Sequence, residues 1–90
     1  MLTEADLADV QRALWDGRAK WYNLGLELGL IAGTLDAIQL TNANNVDNCF
    51  RSMLKEWLRK TELVPTWSSL ARALREQPVG LGELAQRLPV

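Results

Sequence analysis

The stretch Val46-Asp47-Asn48-Cys49-Phe50-Arg51-Ser52-Met53-Leu54-Lys55-Glu56-Trp57-Leu58-Arg59-Lys60 decides the fold class. Val46, Cys49, Phe50, Met53, Leu54, Trp57 and Leu58 recur at spacings of three and four. On a helix of about 3.6 residues per turn they form one continuous apolar stripe. Asn44 or Asn45 can cap the start, Asp47 suits the first turn, and Arg59 and Lys60 suit the last. The pattern predicts a helix over 45–60.

Helical spacing recurs on both sides of this stretch. Towards the C-terminus, Thr66 is an N-cap after Pro65, and Trp67, Leu70, Ala71 and Leu74 make an apolar face ahead of Pro78 and Gly80, predicting a helix over 66–77. Leu81, Leu84, Ala85 and Leu88 repeat the spacing over 81–88. At the N-terminus, Thr3-Glu4-Ala5-Asp6 resembles a capping box with Asp in place of the usual Glu. Leu7, Val10 and Leu14 continue that helix over 3–15, and Asp16-Gly17 marks a break. Trp21, Leu24 and Leu28 predict a helix over 18–29, with Gly29 near its end. Leu35 and Ile38 mark a weaker one over 34–40 without a strong cap, followed by a polar loop at Thr41–Asn45. No segment alternates as a strand would. The expectation is a single all-α domain spanning 1–90, six short helices around one shared core. Helices this short are not stable alone in water, so their stripes must bury one another.

Composition narrows the function. The 90 residues are 48 % hydrophobic with four Trp, which disfavours disorder and calls for apolar surroundings for each indole. Formal charge is −1, which gives no general pull towards nucleic acid or anionic membrane. The charge is unevenly spread: residues 1–50 hold seven acids and three bases, residues 51–90 seven bases and four acids. There is no His, so Ser-His and Cys-His nucleophilic chemistry and His-ligated metals are excluded. Cys49 alone makes neither a disulfide nor a thiolate zinc site, and its place in the apolar stripe points to an inert core thiol. No metal-binding, phosphate-binding or dinucleotide-binding spacing occurs, and Gly25-x-x-x-Gly29 reads as close helix packing. The expectation is no enzyme, no cofactor and no metal. With no membrane span or signal peptide in the sequence, a cytoplasmic domain is expected.

The order of the apolar segments resembles the death domain family. The resemblance is carried by Trp21-Tyr22-Asn23-Leu24-Gly25-Leu26-Glu27-Leu28-Gly29-Leu30, by Leu35-Asp36-Ala37-Ile38, by Met53-Leu54-Lys55-Glu56-Trp57-Leu58, by Pro65-Thr66-Trp67 with Leu70 and Ala73-Leu74, and by Leu84-Ala85-Gln86-Arg87-Leu88. It covers about residues 18–88. It implies a six-helix antiparallel Greek-key bundle that binds other death domains, self or adaptor or receptor, in apoptotic or innate-immune signalling. Assembly would join unlike patches and build higher-order oligomers. A caspase-recruitment or death-effector domain is the nearer alternative. A helix-turn-helix DNA-binding domain is the remoter one, since the last helix offers Arg87 as its only base.

Candidate partner-binding residues follow from charge. Asp6, Asp9 and Glu27 or Asp36 offer acidic patches on early helices. Arg51, Lys55 and Arg59 recur every four residues off the apolar stripe. Like charges at that spacing repel mildly within a helix, so a partner's acids would explain them. Arg72 and Arg75 form a second basic pair. Complementary charge would then orient acidic early helices of one copy against the basic fourth or fifth helix of another. Trp15, beside the Leu7-Val10-Leu14 face, either covers a core edge or anchors a partner.

Overall fold

A computed structural model describes residues 1–60 and 64–90; Glu62, one of the acids counted above, lies outside the described residues. The chain enters through a 3-10 turn, Glu4–Asp6, rather than directly into an α-helix. The capping box at Thr3 forms: the Thr3 N–H donates to Asp6 Oδ2 at 2.8 Å, and the Ala5 N–H donates to Thr3 Oγ1 at 3.3 Å. Helix α1 follows over Leu7–Ala13 and buries Leu7 and Val10.

The Asp16-Gly17 break is real but not a loop. A second 3-10 segment, Trp15–Lys20, leads directly into α2, Trp21–Glu27. Gly17 belongs to this segment because Leu81 and Leu84 sit on it: a Cβ there would lie 2.6 Å from Leu81 Cδ1 and 3.0 Å from Leu84 Cδ2. Gly25 fills the same need on α2, where a Cβ would lie 2.7 Å from Leu35 Cδ2 and 3.1 Å from Met53 Cγ. The Leu30 N–H then reaches the Gly25 carbonyl at 3.0 Å and the Gly29 N–H the Leu26 carbonyl at 3.1 Å, with Gly29 at φ 97°. This is the Schellman arrangement that stops a helix.

Helix α3 runs over Ala32–Thr41, beginning two residues before the expected Thr34 and taking in Thr41. Helix α4, Val46–Arg59, is capped by Asn45, whose side chain accepts from the Asn48 N–H at 3.0 Å. It buries Cys49, Phe50, Met53, Leu54, Trp57 and Leu58; Val46, at the exposed first turn, does not join the buried stripe. Helix α5, Trp67–Arg75, opens on a Thr66–Ser69 capping box and ends short of residue 77. Trp67 is half-buried against the core edge rather than inside it. Helix α6, Gly82–Gln86, is shorter than 81–88, although Leu88 beyond it is buried.

The described residues form no strand; six α-helices pack into one globule. Its radius of gyration is 11.8 Å, close to the ~12 Å of a compact domain of this length. Helix α4 is the central element, in contact with α1, α2 and α3, while α5 packs on α6 and α2. Among the described residues the buried core contains no polar side chain. No helix of the described residues is long and apolar enough to cross a membrane.

Candidate interaction surface

With an apolar interior, every charged side chain of the described residues is left at the surface. The charge asymmetry of the sequence is partly closed inside the molecule. Arg59 Nε lies 3.5 Å from Glu4 Oε1, and Arg87 Nη1 lies 3.7 Å from Asp16 Oδ2, so late bases pair with early acids of the same chain. Arg51 Nη1 donates to Gln11 Oε1 at 3.0 Å. Two of the three bases along α4 therefore have partners on the N-terminal segment, a structural reason that their spacing alone did not show. Exposed pairs of this kind contribute at most about 1 kcal/mol each.

The predicted acids are also engaged. Asp6 faces its own helix start in the capping box. Asp9 pairs with Arg12 at 3.7 Å, one turn along α1. Asp36 accepts a 2.7 Å hydrogen bond from the Tyr22 hydroxyl, which joins α3 to α2. That bond, with partial burial and the negative charge of Asp36, raises the Tyr22 phenol above its ordinary value. Glu27 is exposed at the end of α2 and shares a groove with Arg72 and Glu76 of the α5 end, floored by Trp57 and Ala73. The structure thus brings together one predicted acid and one predicted base, although they form no ion pair.

Trp15 covers a core edge. Its ring meets Phe50 edge-on at 6.1 Å and carries the Arg18 guanidinium on its face. Lys55, Arg72 and Arg75 are exposed and make no ion pair among the described residues. They are the basic side chains of the predicted set that remain available to a partner. Ile31, 65 % exposed, lines the same surface groove as Lys55.

Sequence reasoning missed Arg18, Tyr22 and Asp47. The Trp15–Arg18 spacing of three was a usable signal, since one helical turn stacks such residues. Nothing in the sequence pairs Tyr22 with Asp36 or Arg18 with Asp47. Cys49 is buried, and burial pushes its thiol up, away from thiolate chemistry. Among the described residues no group of His, Cys, Asp and Glu could hold a metal ion. No family model, curated protein or solved structure matches this chain.

Proposed function

We propose that the chain is a non-catalytic death domain, a Greek-key six-helix bundle that assembles with other death domains in apoptotic or innate-immune type signalling in the cytoplasm. The observation that carries this reading is where the family-like segments fall. Trp21, Leu24 and Leu28 of α2, Leu35 of α3, Met53, Leu54, Trp57 and Leu58 of α4, Leu70 and Leu74 of α5, and Leu84 and Leu88 around α6 meet in one core. Five segments that share the family's order along the chain pack as one unit on successive helices, which supports the reading. Ile38 and Trp67 join only at its edge, and Leu26 is exposed.

The binding surface is narrower than charge spacing suggested. Arg51 and Arg59 serve the chain's own N-terminal segment, so Lys55, Arg72 and Arg75 are the bases a partner's acids would meet. Complementary charge of this kind sets orientation and association rate more than affinity, and it weakens as salt rises. The test is light scattering and negative-stain microscopy of the purified domain across salt. Oligomers at low salt that shrink at high salt, and that are lost in Arg72→Glu/Arg75→Glu, are the expected result. A monomer at every salt and protein concentration would exclude self-assembly and leave a different death domain as the partner; assembly indifferent to that charge reversal would sink the proposed surface.

A further inference from the structure

Helix α3 differs from its neighbours in how little holds it. Of its ten residues only Leu35 is fully buried, whereas α4 buries six of fourteen and α5 four of nine. Its N-terminus has no side-chain cap, while Asn45 and Thr66 cap α4 and α5. An open surface trough of about 610 Å³ runs along its contact with α4, with Gly33, Thr34 and Ala37 on one bank and Ser52 and Lys55 on the other. Its outward apolar groups, Ile31 at the start and Leu40 near the end, are left to solvent.

The backbone on either side is made to turn. Gly29 before the helix has φ 97°, and Ala43 and Asn44 after it have φ 51° and 63°. Two consecutive left-handed residues other than Gly are costly, and Ala has no side-chain hydrogen bond to offset this. Against these weaknesses stand a few ties: Ile38 packs at the core edge, and the Cys49 thiol of α4 lies 3.9 Å from the Ile38 carbonyl. Leu35 seats its methyls against Gly25, Asn42 Nδ2 donates to Ser52 Oγ at 3.2 Å, and the Tyr22 hydroxyl donates to Asp36 at 2.7 Å.

We propose that α3 is a separately opening lid, which lifts from α2 and α4 about Gly29 and Ala43–Asn44 while the other helices stay packed, with the Tyr22–Asp36 hydrogen bond as its latch. Elements with few buried contacts open locally well before the whole protein unfolds. Opening withdraws Leu35 from Gly25 and Met53 and uncovers an apolar niche between α2 and α4 that the closed form lacks. The lid does not depend on which partner the domain binds.

Amide hydrogen exchange on the whole chain tests this directly. The hydrogen-bonded amides of α3 should exchange at least about tenfold faster than those of α4 and α5, with little denaturant dependence, because local opening exposes little surface. Tyr22→Phe should speed α3 exchange roughly two- to tenfold, the effect of one ordinary hydrogen bond, and leave α4 unchanged. Ala43→Gly should slow α3 exchange alone by relieving the closed form. A common rate and denaturant dependence for α3 and α4 would overturn the lid. Equal acceleration of both helices in Tyr22→Phe would overturn the latch. If Tyr22→Phe did not fold, Ala43→Gly would decide: slowing confined to α3 supports the lid, and uniform or absent slowing refutes it.

Discussion

The guanidinium carbon of Arg18 lies 4.3 Å from the centroid of the Trp15 ring. The same side chain is held from two other directions, by Asp47 Oδ1 at 2.7 Å and by the Trp15 carbonyl at 2.9 Å. Trp15 thus meets Phe50 edge-on and carries a fixed cation on its face. Arg18→Ala is expected to lower stability by about 1 kcal/mol, since the cluster is partly open to water. Trp15→Ala should cost more, about 2–3 kcal/mol, because it also empties the space over Phe50. Urea midpoints measure both. An unchanged midpoint for Trp15→Ala would return this residue to the role of partner anchor.

Two glycines should respond to alanine with opposite signs. At Gly25 the new methyl would meet Leu35 and Met53, both fully buried. Crowding costs ~1–3 kcal/mol and helix propensity returns ~1, so the net loss is roughly 1 kcal/mol. Gly33 has nothing within 4 Å of its Cβ position, so Gly33→Ala should gain roughly 0.5–1 kcal/mol. Thermal or urea unfolding of the pair is the check; equal signs would contradict the packing.

Much of this was legible beforehand. The α4 stripe needed only its own spacing, because each apolar residue from Cys49 to Leu58 sits on one helical face whatever the neighbours do. Thr3 and Thr66 were readable for the same local reason. Trp15–Lys20 was not, since a 3-10 segment leaves no period distinct from an irregular turn in six residues. The charge reading of Arg51 and Arg59 fell short because Gln11 and Glu4 are forty and fifty-five positions away in sequence. Such partners are created by the fold, and no local pattern carries them.

Alkaline pH should loosen the join between α2 and α3. Asp36 holds the Tyr22 phenol above its ordinary value of 10.0 chiefly by accepting its proton in a hydrogen bond. A raised folded-state value means this stabilisation is complete below pH 10.0 and is lost as pH climbs through the folded value. Ultraviolet titration of the single tyrosine should show late phenolate formation, earlier in Asp36→Asn. The stability gap between wild type and Tyr22→Phe should close over the same range. A titration that Asp36→Asn leaves in place would exclude the assigned cause.

Cys49 is 1 % exposed, and burial raises its thiol. A thiol reagent should therefore modify the native protein slowly and the urea-unfolded protein rapidly. Fast modification under native conditions would show that α4 opens far more often than its packing allows.

Among the described residues no polar side chain is buried, so the core has no side-chain hydrogen bonds there to distinguish one tight packing from another. Discrimination falls to shape, and shape is most demanding where Leu81 and Leu84 close over Gly17 and where Leu35 closes over Gly25. The aliphatic filling can exchange among Leu, Ile and Met of similar volume at modest cost. The two glycine sites have less room, since one added methyl meets a side chain within 3 Å. They are the registration marks of the bundle, setting the positions at which α6 and α3 seat.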